Sequence, residues 1–375
     1  MEAGENMITT LNIHNFRCFQ DLSVTKLAPI TLLGGRNNSG KSAILEAIFL
    51  SFSYWNGNVF SALAASRSSN GQLPSPERIW NPLFFNFEKT DEFSLSVEQD
   101  NGKTSVLTMK KVPDENVSLD INTELVSGIF KQGYALQDLD HYFFALEYTH
   151  TEENQTIQGR YSFENTQIRN MPSSDNPKKD YASFVKVSFY RNLYIPDNGA
   201  IAEWVGKFIL DGRKEDLLAV LRLFDGRISD IMTLVENNLP YVYVTLADGM
   251  KMPITYMGDG INKALNLLLI ILTSPNGIVL LDEIENGFHY SVYPKVLRAL
   301  YEAALGIHCQ LVITTHNADI LRQSVAVMKA LNQLEALSYQ RLSVSDKGRK
   351  AYAFSGDELE VALDCLLYTS PSPRD

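Results

Sequence analysis

"ITLLGGRNNSGKSAILEAIF", Ile30 to Phe49, runs from an apolar stretch through a polar loop with glycines into a second apolar stretch. Ile30 to Leu33 reads as a strand. Past Lys41, the apolar residues Leu45, Ile48, Phe49 and Phe52 recur at i, i+3, i+4 and i+7, which places them on one face of a helix. Between the two, Gly35-Arg36-Asn37-Asn38-Ser39-Gly40-Lys41-Ser42 satisfies G-x-x-x-x-G-K-[ST] in the strand-to-helix setting the pattern requires. The glycines let backbone N–H groups of Gly35, Asn37, Asn38, Ser39 and Gly40 turn toward phosphates at a helix N-terminus. Lys41 would reach the β and γ phosphates, and the Ser42 hydroxyl would ligate Mg²⁺. A chance glycine-rich turn is the competing reading.

Three further stretches bear on chemistry. "GIVLLDEIENG", Gly277 to Gly287, is an apolar strand ending in two acids, which must emerge at the carboxyl edge of a sheet, where α/β proteins bind ligands. Asp282 would hold Mg²⁺ directly or through water, and Glu283 would orient and deprotonate an attacking water. In isolation the stretch is also compatible with a strand followed by an acidic turn. "QLVITTHNADIL", Gln310 to Leu321, delivers His316 at the end of another strand. Alone, such a histidine caps or packs; after the two motifs above it stands where a γ-phosphate sensor would. "YMGDGINKALNLLLIIL", Tyr256 to Leu272, opens a helix at Gly258, Asp259 and Gly260, offering free N–H groups and a positive dipole end to an anion. An ordinary loop with Asp259 as the N-cap is the alternative.

The rest of the chain supports an α/β organisation. Ile8 to Phe19 alternates as a half-buried strand. Trp55 to Ser75 is rich in Ser, Asn and Gly, and β-type runs follow, with a hairpin around Asp100-Asn101-Gly102 and strands at His141 to His150, Gly159 to Phe163 and Phe184 to Tyr190. Ile201 to Asn238 reads as helical, and "YVYVTLADGMKMPITYM" as a hairpin. The last third alternates a helix from Lys263 to Leu272, a strand from Gly277, a helix from Val292 to Leu305 and a strand from Gln310 to Thr314. This βα alternation predicts a mostly parallel sheet covered by helices, joined to an antiparallel β subdomain and a helical insert. The expected division is a discontinuous core of residues 1–54 and 256–364 around an inserted region of residues 55–255.

With 375 residues the chain has ample material for a core and roughly two or three domain-sized units. Its 33 basic and 44 acidic residues give a formal charge of −11, which disfavours nucleic acid unless basic residues cluster; Lys110-Lys111 and Lys178-Lys179 are only pairs. Cys18, Cys309 and Cys365 form no metal-ligand or disulfide spacing, which fits a cytoplasmic protein. The longest apolar run, Leu265 to Thr273, is far short of the ~20 residues of a membrane span. "CLLYTSPSPRD", Cys365 to Asp375, resembles the translation of a transposase-type sequencing-library adaptor, so residues 365–375 are expected to be artefactual, with the natural C-terminus lost after about Asp364; a Ser/Pro-rich disordered tail is the alternative.

The order of an FR-x-F strand, Walker A loop, long insert, glycine signature, hydrophobic-Asp-Glu strand and Thr-Thr-His resembles the ABC-type ATPase heads of the SMC, RecF and OLD group. It looks closest to short bacterial AAA-type ATPases of OLD-like character associated with phage defence. The resemblance covers Ile8 to about Phe52 and Tyr256 to about Leu321 and implies a P-loop NTPase fold. It further implies ATP and Mg²⁺ as ligands and an ATP-gated homodimer in which Gly258, Gly260 and Lys263 complete the nucleotide site of a second copy. Arg17 matches the family's arginine near the phosphates or sugar, with a plain surface arginine as the alternative; Glu285 to His289 matches the stretch that lines the dimer interface. The serine of the usual signature is missing from Met257-Gly258-Asp259-Gly260-Ile261. No coiled-coil arm is present, which argues against an SMC role, and no TOPRIM-like segment follows the ATPase pattern; a separately encoded nuclease or toxin is a candidate effector. A nucleotide-dependent scaffold with little turnover and a RecF-like DNA-processing ATPase are the rival functions.

Overall fold

The computed structural model describes residues 6–65, 79–87, 90–113, 144–164, 167–173, 185–191, 198–346 and 348–369. The first part of the chain forms β1 (Ile8–Phe16), β2 (Phe19–Val24), β3 (Ile30–Gly35), α1 (Lys41–Ser53), α2 (Asn58–Ala65), β4 (Glu92–Gln99) and β5 (Thr104–Pro113). The middle forms β6 (Phe144–Glu152), β7 (Gln155–Glu164), β8 (Gln167–Pro172), β9 (Val187–Tyr190), α3 (Asn198–Leu210), α4 (Lys214–Arg222), β10 (Ile228–Glu236), β11 (Leu239–Leu246) and β12 (Lys251–Pro253). The last part forms α5 (Asp259–Leu272), β13 (Ile278–Leu281), α6 (Tyr293–Gly306), β14 (Gln310–Thr314), α7 (Ala318–Ala330), β15 (Leu337–Ser345), β16 (Gly348–Ser355) and α8 (Gly356–Thr369).

A six-stranded sheet in the order β16-β15-β3-β14-β13-β9 holds the centre, and all its pairings are parallel except β15 with β16. Its central strands β3, β13 and β14 are near-continuous apolar runs because both faces are covered. The two-residue period of a strand divides them: Ile30, Leu32, Val279, Leu281, Leu311 and Ile313 join one core with α3 to α8, while Leu33, Ile278, Leu280 and Val312 join another with α1 and a second sheet. That second sheet is antiparallel, seven-stranded, in the order β2-β1-β4-β5-β6-β7-β8. The fully buried Gln310 side chain ties the two sheets together, donating to the Ile8 carbonyl and accepting from the Ile8 amide, both at 2.8 Å. The chain is an α/β P-loop NTPase in architecture.

The sheets cut across the expected boundaries. β4 to β8, from the inserted region, extend the sheet begun by β1 and β2, and β9 is an edge strand of the central sheet. Strand edges left by the two terminal segments are paired by the insert, which satisfies their backbone groups. Helix α1 lies between the sheets, so it buries Ala43, Ile44, Ala47 and Leu50 as well as the expected Leu45 and Ile48, and Phe49 and Phe52 are only half-buried. Ile8 to Phe19 is not one strand: the chain reverses after β1 at Arg17, which has φ +55.

Ile228 to Glu236 was expected to be helical, and the structure corrects this to β10. Ile228, Ile231, Met232 and Val235 fall at helical spacing, yet Asn237 and Asn238 both take positive φ and close a two-residue hairpin between Glu236 and Leu239. Tight hairpin turns of that kind demand left-handed residues, which asparagine tolerates better than most side chains. The hairpins at Gly102 and at β11–β12 form as expected. Residues 66–75, 141–143, 178–179, 184 and 370–375, on which sequence-based expectations also fall, lie outside the described residues; residues 365–369 continue helix α8.

Candidate functional site

Parallel pairing brings the carboxyl ends of four strands together. β3 ends in Gly35, β13 is followed by Asp282, β14 by Thr315 and His316, and β9 by Arg191; the register pairs Leu281 with Ile313 and with Tyr190, and Thr314 with Leu33. The loop from Gly35 to Gly40 turns on three left-handed residues, Gly35 (φ +145), Asn38 (φ +63) and Gly40 (φ +104), and Gly40 is the N-cap of α1. A Cβ at Gly40 would lie 2.3 Å from Phe19 Cζ and 2.9 Å from Cys18 Sγ, so only glycine fits. Lys41 Nζ donates back to the carbonyls of Gly35 (3.0 Å) and Arg36 (3.3 Å), across the mouth of the loop. Among the described residues, the buried Ser39 hydroxyl has no hydrogen-bond partner.

The acidic residues are oriented by neighbours on the same edge. Ser42 Oγ donates to Asp282 Oδ1 at 3.0 Å, and Thr314 Oγ1 donates to the same oxygen at 2.6 Å. Thr314 Oγ1 in turn accepts from the Glu283 amide at 2.8 Å. Glu283 sits at φ +53, a conformation that costs a side-chain-bearing residue roughly 1–2 kcal/mol and that concentrates at functional sites. Its side chain is exposed, with Oε2 accepting from Asn286 Nδ2 at 2.6 Å. Glu285, expected at a dimer surface, is buried instead: its Oε1 lies 2.7 Å from His316 Nδ1 and accepts from the His316 amide at 2.7 Å. The imidazole remains half-exposed, aimed by that carboxylate.

Arg17 is not a surface arginine. It is buried, its Nη1 donates to the Pro82 carbonyl, and its Nε lies 2.7 Å from Glu46 Oε2 on α1. Glu46, fully buried, also pairs with Arg191, whose Nε lies 3.6 Å from Asp282 Oδ2. Lys263 departs further from expectation. It follows Gly258 and Gly260 by only a few residues, but at 7% exposure its side chain turns inward, toward the carbonyls of Ile284 (3.1 Å) and Asn286 of its own chain. Burial pulls its pKa down to about 8 against the opposing pull of Glu285 and Glu283. Gly258, the N-cap of α5 with φ +96, is exposed, whereas Gly260 packs toward the Gly287 carbonyl.

Residues 30–322 match AAA_21, the family described as "AAA domain, putative AbiEii toxin, Type IV TA system". The chain belongs to this AAA-domain family. A Helicobacter pylori protein named "ATP/GTP phosphatase" is 22% identical over 340 residues, which span 84% of this chain and 86% of the relative. Among solved structures, an SMC head bound to the C-winged helix domain of ScpA is similar over 95% of this chain and 99% of that one, at 14% identity and a TM-score of 0.46. The SMC head domain from Thermotoga maritima is similar over 93% and 99%, at 11% identity and a TM-score of 0.41.

In this AAA-domain protein the donor set fits a magnesium nucleotide. Mg²⁺ keeps several waters and takes one or two protein oxygens besides phosphate, and Ser42 and Asp282 supply such a pair. The unpartnered Ser39 hydroxyl and the glycine-only cradle at Gly40 suit a phosphate group. Sequence reasoning missed Arg191, Glu46 and Thr314. Arg191 follows a run that the sequence shows as a strand, but only the parallel pairing of β9 with β13 brings it to this edge. The mid-helix acid Glu46 was the one available signal, since a charge on the buried face of a helix requires a partner.

Proposed function

We propose that the protein is an ATP-binding and ATP-hydrolysing switch, cytoplasmic, that works as a homodimer and controls a separately encoded nuclease or toxin effector, in the setting of phage defence. The observation that carries the enzymatic part is the convergence of Ser42, Asp282, Glu283 and His316 at one sheet edge, beside a loop only glycine can form. Bound Mg²⁺ would draw charge from the phosphate oxygens. The chain's own residues do the rest. Gly35 to Gly40 present backbone N–H groups, Lys41 swings from the Gly35 and Arg36 carbonyls to phosphate, Glu283 takes the proton of the attacking water, and His316 reads the γ-phosphate. Placement of the Glu283 carboxylate at the exposed end of a strained turn supports that role. The name of the Helicobacter pylori relative supports nucleotide hydrolysis, and the toxin–antitoxin description of the family supports an effector.

The dimer is supported by what surrounds the site. Gly258 is exposed at the N-terminus of α5, and Tyr256 and Tyr290, at 80% and 69% exposure, flank it on the two segments that meet where Gly260 approaches Gly287. Large exposed aromatics next to an open helix N-terminus suit a surface covered by a second copy. Glu283→Gln tests both parts. It is expected to retain ATP binding by calorimetry, to lose turnover by about 10²–10⁴-fold in phosphate release, and to accumulate as an ATP-bound dimer in sedimentation. Wild-type turnover in the variant would remove Glu283 as the base; binding by the wild type without any phosphate release would make the protein a nucleotide-dependent scaffold.

A further inference from the structure

The first turns of α5 and the loop after Asp282 are packed as one piece. A Cβ on Gly260 would lie 3.4 Å from the Gly287 carbonyl oxygen, and Gly287 itself turns at φ +80 with its Cβ position 3.5 Å from Lys263 Cδ. Into this loop Lys263 sends its ammonium. Nζ donates to the carbonyl oxygens of Ile284 (3.1 Å) and Asn286, lies 3.5 Å from that of Glu283, and stands 5.0 Å from the centroid of the Phe288 ring. Burying an ammonium is costly, and here its hydrogen bonds gather carbonyls of a single loop, those of Glu283, Ile284 and Asn286. Those carbonyls bracket the backbone of Glu283 on its C-terminal side, while Thr314 Oγ1 holds the Glu283 amide on the other. With both sides fixed, the left-handed turn throws the Glu283 carboxylate outward to solvent.

We infer that Lys263 is a positioning residue for Glu283: it holds the carbonyls of Glu283, Ile284 and Asn286 so that the carboxylate stands where water is activated, and it makes no contact with nucleotide in a second copy. The inference rests on the reading of Glu283 as the base. Lys263→Met keeps most of the side-chain length and removes the donors. In the full chain with Mg·ATP, kcat for phosphate release is expected to fall at least about 10-fold while the calorimetric Kd for ATP moves by less than about 3-fold. Because Lys263 acts through Glu283, adding Lys263→Met to Glu283→Gln should lower the residual rate by no more than about 2-fold, the non-additivity expected of residues that act as a unit.

A wild-type kcat in Lys263→Met, losses that multiply in the double variant, or a Kd raised about 10-fold with kcat unchanged would each overturn the inference. Full turnover by Glu283→Gln alone would instead overturn the reading on which it rests. If Lys263→Met shows no cooperative thermal transition, Gly287→Ala tests the same latch from its exposed side. Its left-handed φ is strained by any side chain, so kcat should fall with Kd unchanged, and a wild-type kcat there would overturn the inference.

Discussion

Glu46→Gln removes one negative charge from the interior of α1 at nearly constant volume. The Glu46 side chain is 0% exposed and faces two guanidinium groups: Arg17 at 2.7 Å, 6% exposed, and Arg191, 13% exposed. Neither arginine can shed its proton. Removing one partner of a buried ion pair costs about 3–5 kcal/mol because the remaining charge stays buried. The lower end, about 3 kcal/mol, applies here, since Arg191 keeps Asp282 at 3.6 Å and Arg17 keeps the Pro82 carbonyl at 2.9 Å. At roughly 2 °C per kcal/mol for a large chain, the thermal midpoint should drop by about 6 °C. The same change should weaken metal binding. Without the Glu46 carboxylate, Arg191 draws closer to Asp282 and competes with Mg²⁺ for its oxygens, so the Mg²⁺ concentration for half-maximal phosphate release should rise several-fold. Differential scanning fluorimetry and a Mg²⁺ titration measure the two effects. A midpoint within about 2 °C of the wild type would refute the argument, because it would mean that these guanidinium groups do not depend on Glu46.

Gly40→Ala forces a side chain onto φ +104 and into the fully buried Phe19 ring, so ATP affinity measured by calorimetry should fall at least about 10-fold. Glu285→Gln removes the charge that holds His316 Nδ1; phosphate release should drop about 10-fold with ATP affinity little changed. Lys263, with its pKa near 8, supplies a pH signature. Around it stand the carboxylates of Glu283 and Glu285 and the rings of Tyr190 and Phe288. Turnover should fall as pH rises through about 8 and the ammonium loses a donor. Over the same range stability should rise, because the unfolded chain binds that proton more tightly than the folded one up to the ordinary lysine value of 10.5. A parallel fall of both quantities would refute this account.

What the sequence shows at this site is what repeats in local pattern. The phosphate loop, the acidic strand end and the strand carrying His316 each consist of an apolar run that stops at a polar residue, and a run of that kind announces both the strand and the edge at which it ends. Lys263 was misplaced for a reason equally local. Nearness in sequence to Gly258 and Gly260 suggested a shared surface, but α5 is buried on every side from Lys263 to Leu272, so Lys263 already belongs to the core-embedded part of the helix. Gly258 is exposed because it caps the helix, and Lys263 is hidden because it has entered the core.

The contacts that join Arg17, Glu46, Arg191 and Asp282 were beyond such reading, because these residues lie in four separate segments and meet only when β9 pairs with β13 and α1 is closed between two sheets. The assembly that hides them also links them. Asp282 comes from the central sheet, Glu46 from the helix behind the phosphate loop, Arg17 from the antiparallel sheet and Arg191 from the inserted region. If Asp282 holds the metal as proposed, the change in its charge on binding would be felt by Arg191, and through Glu46 by the helix that carries Lys41 and Ser42. A buried chain of alternating charges is costly to assemble and more costly to break, so it resists independent movement of its four segments. The inserted region is therefore bound into the nucleotide site rather than appended to it, and a partner that pulled on β9 would act on Asp282.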